Sequence, residues 1–151
     1  MKRTAQVQWH GGLKRGKGFL STESGELRDI SFTYGKRFED DHGTNPEELI
    51  GASYASCFSM ALSGELEKRG YIPEKLEITS EVHLDKTASG WKIPQIHLRV
   101  AASVPGATAK EIDEIASHTK DNCPIGKILN THVSMEVHIP THESVAPESM
   151  I

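Results

Sequence analysis

The sequence predicts an α+β fold, in which strands and helices occupy separate stretches of the chain. Several short segments alternate apolar and polar residues with a period of two, which indicates half-buried strands. One long segment near residue 50 carries few charges and lies between strong helix start and stop signals. The resulting order of strands, long helix, strands, helices and a last strand is typical of an α+β domain.

Three short strands are predicted before the long helix. They cover residues 6–10, 17–22 and 30–34, which contain most of the apolar side chains of this region. Glycine-containing segments at 11–12 and 23–25 separate them. We therefore expect two short turns at these positions.

A long helix is predicted over residues 46–69, with Gly70 as the residue that ends it. Its start signals are a cap, a proline in the first turn and an acidic residue suited to a capping box: Thr44 or Asn45, Pro46, and Glu47 or Glu48. The first four turns are apolar on nearly all sides, which predicts burial on most faces. The side chains concerned are Leu49, Ile50, Ala52, Ala55, Cys57, Phe58, Met60, Ala61 and Leu62.

Two further strands are predicted after this helix. Apolar and polar residues alternate over 76–84 and again over 96–102. The residues at 88–90, Ala-Ser-Gly, form a turn signal between them. We therefore expect a hairpin with one buried and one exposed face.

Two helices and a strand complete the predicted domain. Thr108 and Glu111 have the spacing of a capping box and open a second helix. A third, short helix begins after Cys123 and runs toward Leu129, and residues 133–139 alternate as a last strand. We place one domain at residues 1–140 and a polar C-terminal tail at residues 141–151.

Composition excludes several classes of function. The chain has 151 residues, enough for one domain with a sizeable core, and a net charge of −4 without a basic stripe, which argues against nucleic-acid binding. The longest uncharged run, residues 49–64, is too short to span a bilayer, and no apolar stretch follows the basic N-terminus, so we expect neither a membrane span nor a secretory signal.

Metal and cofactor sites are not predicted either. The eight histidines are scattered, and no His-x-x-x-His, Cys-x-x-Cys or nucleotide-binding motif occurs, so we expect no metal and no cofactor. Two cysteines in a chain of this length do not make a disulfide scaffold. A cytoplasmic protein with functional thiols fits this cysteine usage better than a secreted one.

Cys57 and Cys123 are the only cysteines of the chain, and their settings differ. Cys57 lies within the long helix, where a lone cysteine is most often a small hydrophobic side chain. Cys123 precedes Pro124 at a helix start, where unpaired backbone N–H groups lower the pKa of a thiol, although Asn122 competes for the cap position. Two thiols far apart in sequence suit a chemistry in which one becomes a sulfenic acid and the other condenses with it to a disulfide.

Charged residues near the start of the long helix are further candidates. An arginine such as Arg37 stabilises a thiolate and can orient a peroxide, and a carboxylate such as Glu47 holds the guanidinium in place. The alternative for Glu47 is a capping box with Thr44. Arg15 lies in a basic turn, which is most often a solvated loop.

Two segments resemble one known family. GTNPEELIGA at 43–52, followed by ASCFSMAL at 55–62, resembles the OsmC/Ohr family of osmotically inducible and organic hydroperoxide resistance proteins. NCPI at 122–125, with Leu-Asn at 129–130, resembles that family's second cysteine segment. KRGKG at 14–18, STESG at 21–25 and RFE at 37–39 resemble the OsmC branch, and the likeness extends to about residue 140.

The resemblance implies a fold, an activity and a set of site residues. It implies antiparallel sheets wrapped around long buried central helices in an intertwined homodimer, with active sites at the subunit interface. It implies a thiol peroxidase that reduces organic hydroperoxides and is recycled by an external dithiol. Cys57 would attack the peroxide, Cys123 would resolve the sulfenic acid, and Glu47 with Arg37 would complete the site, with Arg15 as the alternative arginine.

Two questions remain open at this stage. The helix end favours Cys123 as the activated thiol, whereas the resemblance favours Cys57, and we follow the resemblance. The same thiol pair also suits a redox sensor or a small-molecule binding module that switches once, or a structural dimer with inert thiols.

The apolar neighbours of Cys57 predict a preference for organic over hydrogen peroxide: Leu49, Ile50, Phe58 and Met60.

Overall fold

Two three-stranded sheets and four helices make up residues 1–140, the part of the chain that this computed structural model describes. The strands are β1 (Ala5–His10), β2 (Lys17–Thr22), β3 (Ile30–Phe32), β4 (Lys75–Thr87), β5 (Gly90–Ser103) and β6 (His132–His138). The helices are α1 (Tyr34–Phe38), α2 (Pro46–Lys68), α3 (Ala109–Asn122) and α4 (Pro124–Ile128). The predicted α+β class is confirmed, and the predicted polar tail lies outside the described residues.

The N-terminal sheet contains β1, β2 and β3 in that order, with both pairings antiparallel. The third strand is shorter than predicted because Thr33 caps α1. Its side chain accepts a hydrogen bond from the backbone N–H of Lys36, so Tyr34 begins a helix instead of ending a strand. This short helix places Arg37 close to the start of α2.

The N-terminal sheet has little core of its own. All six residues of β1 are exposed, including Val7 and Trp9. Leu20 is the one buried apolar side chain that residues 1–49 contribute, and it lies outside the main core cluster, whose members and neighbours within residues 1–140 all lie at Ile50 or beyond. A three-stranded sheet needs an apolar face packed on another element to be stable, and the elements described in residues 1–140 do not supply one for this sheet.

The C-terminal sheet has the order β4–β5–β6 and contains one parallel pairing. β4 and β5 form the predicted hairpin, which closes where Thr87 pairs with Gly90. β5 and β6 run parallel, whereas antiparallel sheets were expected. The reason is the connection, because α3 and α4 form the helical crossover that returns the chain to the same end of the sheet.

Helix α2 is continuous from Pro46 to Lys68, and Gly70 follows it with a φ of +84°, as predicted. The Asn45 side chain caps it by accepting a hydrogen bond from the N–H of Glu48 at 2.9 Å. One stripe of α2 is buried, and a Cβ at Gly51 would lie 3.2 Å from the Ser80 carbonyl of β4. The buried residues are Glu47, Gly51, Tyr54, Phe58, Leu62 and Leu66.

The other side of α2 is left uncovered by residues 1–140. Ala52, Ser53, Ser56 and Met60 are all exposed, and Met60 keeps 78% of its surface in contact with solvent. These residues recur at intervals of about four, so they form one stripe along the helix. The predicted burial of α2 on most faces is therefore not reached within residues 1–140.

The hydrophobic core lies between α2, α3 and the inner face of β5. Burial of each large apolar side chain contributes about 1.5–3 kcal/mol. The principal members are Tyr54, Phe58, Leu62, Leu66, Ile96, Leu98, Val100, Ile112, Ile115 and Cys123. This core fixes α2 relative to the α3–α4 junction, which is where the two cysteines meet.

Candidate active site

The fold brings the two cysteines of the chain into contact. Cys57 lies on α2, and Cys123 ends α3 and caps α4. Both are free thiols, and the Cys123 thiol donates to the Cys57 sulfur over a Sγ–Sγ distance of 3.1 Å. A disulfide has a sulfur–sulfur distance of about 2.05 Å, so the sulfurs would have to approach by only about 1 Å more once an oxidant removes two electrons from the pair.

The two thiols differ in exposure. Cys57 is partly exposed, whereas Cys123 is only 1% exposed. The pKa of the Cys123 thiol is raised, and burial is the largest cause. The backbone N–H groups of Gly126 and Ile125 lower this pKa, whereas the contact with Cys57 raises it. The expectation that the helix end gives Cys123 a lowered pKa is therefore wrong, because desolvation outweighs the amides of α4.

The raised pKa of Cys123 predicts how disulfide closure depends on pH. The thiolate is the attacking form, and deprotonation of Cys123 is shifted above the usual range of about 8.5. We therefore expect the rate of closure onto an oxidised Cys57 to rise through neutral pH and to keep rising beyond pH ~8.5. Rapid-quench alkylation at a series of pH values would measure this rate. A plateau reached below pH ~7.5 would contradict the expectation.

A second pair joins Arg37 of α1 to Glu47 of α2. Arg37 donates from Nη2 to Oε1 of Glu47 at 2.7 Å and from Nε to both carboxylate oxygens at 3.1 and 3.3 Å. The Glu47 side chain is 10% exposed and that of Arg37 is 39% exposed. A buried carboxylate that accepts a guanidinium through several hydrogen bonds fixes the orientation of that guanidinium.

This pairing bears on two alternatives left open by the sequence. The capping box of Glu47 with Thr44 is wrong, because Asn45 caps α2 and Glu47 faces Arg37. Arg15 lies exposed in the turn between β1 and β2. Arg37, and not Arg15, is therefore the arginine that contacts Glu47.

The thiol pair and the Arg37–Glu47 pair do not meet within one chain. Glu47 and Cys57 both lie on the uninterrupted helix α2, ten residues apart. Ten residues of α-helix correspond to a rise of about 15 Å. The structure therefore forms each half of the predicted site, and it leaves the two halves at separate places along α2.

An apolar cavity of about 200 Å³ adjoins Arg37. Besides Arg37, its lining residues are Trp9, Leu13, Phe32, Thr33, Tyr34, Phe38 and Pro46. The sequence analysis missed this cavity and expected apolar neighbours beside Cys57, but Phe58 is buried in the core and Met60 points to solvent. The available signal was the presence of large apolar side chains, Trp9 and Leu13, in an otherwise polar N-terminal segment.

Residues 1–140 contain neither a candidate metal site nor a candidate membrane-spanning helix. No cluster of three or more His, Cys, Asp or Glu side chains in this range could hold a metal ion. None of its helices is both long and apolar enough to cross a membrane.

Comparisons with known proteins place the chain in a family. The family model described as OsmC-like protein matches residues 39–138. Peroxiredoxin OsmC of Escherichia coli K12 is 42% identical over 137 residues, which cover 91% of this chain and 96% of that protein. Organic hydroperoxide resistance protein OhrB of Bacillus subtilis is 29% identical over 139 residues, 90% of this chain and 96% of OhrB.

Solved structures agree with the sequence matches. The crystal structure of Bacillus subtilis OhrB superposes with a TM-score of 0.68 at 26% identity, covering 91% of this chain and 98% of that chain. An OsmC-like protein from Vibrio cholerae, at 17% identity and a TM-score of 0.73, shares the fold over 91% of this chain and 99% of its own. The motifs around both cysteines, the family model and these relatives together show that the chain belongs to the OsmC/Ohr family, in its OsmC branch.

Proposed function

We propose that this protein is a thiol peroxidase that reduces organic hydroperoxides to alcohols. The observation that carries the proposal is the 3.1 Å contact between the sulfurs of Cys57 and Cys123. Relatives named peroxiredoxin OsmC and organic hydroperoxide resistance protein support the same chemistry. The OsmC-type relative is the one that matches at 42% identity.

The proposed reaction has two steps at sulfur. The Cys57 thiolate attacks one oxygen of ROOH, the O–O bond breaks, and ROH leaves after taking a proton, so that Cys57 becomes a sulfenic acid. The Cys123 thiolate then attacks the Cys57 sulfur and expels the hydroxyl, which leaves as water with the thiol proton. An external dithiol reopens the disulfide by thiol–disulfide exchange and is itself oxidised.

Cys57 is the better candidate for the first step because it is the thiol that substrate can reach. It is partly exposed, whereas Cys123 is buried and has a raised pKa. Arg37 would stabilise the Cys57 thiolate and orient the peroxide. Glu47 would act through Arg37, because its buried carboxylate holds the guanidinium at 2.7 Å.

We propose that this site is assembled by two copies of the chain in a homodimer. Three observations support the assembly: the separation of Glu47 from Cys57 along α2, the exposed stripe from Ala52 to Met60, and an N-terminal sheet without a core partner. If two α2 helices cross antiparallel at a two-fold axis, Arg37 and Glu47 of one copy approach Cys57 of the other. We place the protein in the cytoplasm, where reducing conditions can recycle the thiol pair.

Turnover tests the function and separates it from the alternatives. The purified protein is mixed with an alkyl hydroperoxide and, in parallel, with a lipoyl dithiol, a thioredoxin-type protein or a monothiol as reductant. A peroxidase consumes many equivalents of hydroperoxide when a dithiol is present. A redox sensor or a switching binding module oxidises once and stops, and a structural dimer with inert thiols consumes none.

We expect the catalytic efficiency to be higher for bulky organic hydroperoxides than for hydrogen peroxide. The cavity beside Arg37 is lined mainly by apolar side chains, and each buried methylene contributes about 0.8 kcal/mol, or about fourfold in efficiency. Cumene hydroperoxide, tert-butyl hydroperoxide and hydrogen peroxide would be compared under the same conditions. Equal efficiency for all three would contradict an apolar substrate pocket.

Two leucines of the N-terminal region provide a matched comparison for this preference. Leu13 lines the cavity, whereas Leu27 is an exposed leucine elsewhere in the same region. Leu13→Ala should lower the ratio of cumene hydroperoxide to hydrogen peroxide efficiency severalfold. Leu27→Ala should leave that ratio unchanged, since it removes a similar side chain without touching the cavity.

A further inference from the structure

Tyr54 is a buried polar side chain next to the thiol pair, and the proposed reaction does not use it. It lies on α2 three residues before Cys57 and is 0% exposed. Its hydroxyl is also buried and has no hydrogen-bond partner within residues 1–140. A buried tyrosine normally finds a partner for its hydroxyl, so Tyr54 is held here by its packing and not by a hydrogen bond to these residues.

The ring of Tyr54 reaches from α2 to the first turn of α4. A Cβ at Gly126 would lie 3.1 Å from the Tyr54 hydroxyl, 3.2 Å from the Lys120 carbonyl oxygen and 3.3 Å from Cε2 of Tyr54, all tighter than ordinary side-chain contact. Gly126 follows Cys123 by three residues and is therefore in the turn that Cys123 caps. Glycine at this position lets the ring lie against α4, so Tyr54 links the helix of Cys57 to the turn of Cys123.

We propose that Tyr54 is a positioning residue for disulfide closure. By packing against Gly126 it sets the place of α4, and thereby the approach of the Cys123 sulfur to Cys57. Displacement of a reacting group by a fraction of an ångström slows a proximity-driven step, so this contact controls closure more than the first attack on peroxide. This inference rests on the proposed function in one respect: the proposed function makes disulfide closure the second step of peroxide reduction.

The ionisation state of Tyr54 agrees with this role. Burial raises the pKa of Tyr54 to about 12, and the nearby groups Cys123, Asp121 and Cys57 raise it in the same direction. The side chain therefore stays neutral at physiological pH. A neutral phenol can pack beside a thiolate without adding a second negative charge.

Closure can be measured without any peroxide by using Ellman's reagent. The partly exposed Cys57 reacts first, forming a mixed disulfide and releasing one nitrothiobenzoate. The Cys123 thiolate then attacks the Cys57 sulfur, the protein disulfide forms, and a second nitrothiobenzoate leaves. Stopped-flow absorbance separates the two releases, and the second release reports closure alone.

Tyr54→Leu is expected to slow the second release by about tenfold and to leave the first within about twofold. Tyr71→Leu is the matched control, because Tyr71 packs against the same core but bonds Glu111 at the opposite end of α3. It should change neither release. A general loss of stability would not separate the two releases in this way.

Gly126→Ala provides a second test in a chain that keeps the ring. The added methyl group would press on the Tyr54 hydroxyl, so we expect slower closure. Tyr54→Phe removes the closest contact atom, and the double variant Tyr54→Phe/Gly126→Ala should recover part of the lost rate. Tyr54→Phe alone should close at nearly the wild-type rate, since the ring remains.

Two results would overturn the proposal. One is a wild-type rate of closure in folded Tyr54→Leu. The other is an equal loss of closure rate in Gly126→Ala and in the double variant Tyr54→Phe/Gly126→Ala. If Tyr54→Leu does not fold, this second comparison decides whether the proposal stands. A wild-type protein that closes quickly here but fails to turn over hydroperoxide would contradict the peroxidase and leave the role of Tyr54 standing.

Discussion

Replacing Cys57 with serine is expected to abolish hydroperoxide turnover, and replacing Cys123 with serine is expected to leave one oxidation event per chain. Without Cys57 there is no thiol that substrate can reach, because Cys123 is buried. Without Cys123 the sulfenic acid formed at Cys57 by the first hydroperoxide has no thiol partner in its chain, and a second equivalent of hydroperoxide would oxidise it to sulfinic acid. Mass spectrometry after one equivalent of hydroperoxide would show these products directly.

The wild-type chain should lose two hydrogen atoms in that experiment and carry a Cys57–Cys123 bridge, the only intramolecular pairing its cysteines allow. The Cys123→Ser chain should gain oxygen at Cys57 instead. Ser117→Ala, which removes a hydroxyl from α3 six residues before Cys123, serves as a control and should turn over normally. Normal steady-state turnover by Cys123→Ser would show that the resolving role is wrong.

Mixed dimers of Cys57→Ser and Glu47→Ala chains are expected to recover about half of the wild-type activity, although each variant alone should be inactive. In the proposed dimer, the intact Cys57 of one chain meets the intact Glu47 of the other, which restores one of the two sites. The physical reason is the rise of about 15 Å between these residues along α2. Two different affinity tags would isolate the mixed species before its activity is measured.

The matched control places both changes in one chain. A dimer of the double variant Cys57→Ser/Glu47→Ala with wild type contains no intact site if sites are shared between chains, and one intact site if they are not. The two arrangements therefore predict opposite results for the two kinds of mixed dimer. Activity in the control dimer together with none in the first would place all the catalytic groups within one subunit.

Local signals in the sequence predicted the elements that position the candidate site. The start of α2 at Pro46 follows from its cap and proline, and Gly70 ends it as expected. The capping box of Thr108 and Glu111 opens α3 with both reciprocal hydrogen bonds formed. Each of these features depends on a few neighbouring residues, so the sequence alone contains the information.

Features that depend on distant contacts were not predictable in the same way. The raised pKa of Cys123 results from burial by the assembled core, which the adjacent helix start does not reveal. The parallel pairing of β6 depends on where α3 and α4 return the chain. The cavity at Arg37 likewise combines Trp9 and Leu13 of the first hairpin with Phe38 of α1.

The N-terminal sheet described above also has a consequence for the life of the protein in the cell. Arg37 belongs to the half of the chain that finds no hydrophobic core of its own, while both sulfurs belong to the half that does. If the site is assembled by two copies as proposed, a newly made single copy would contain the thiol pair without Arg37 beside it. Full reactivity toward peroxide would then be acquired only when two copies pair, which would reduce oxidation of unassembled chains during synthesis.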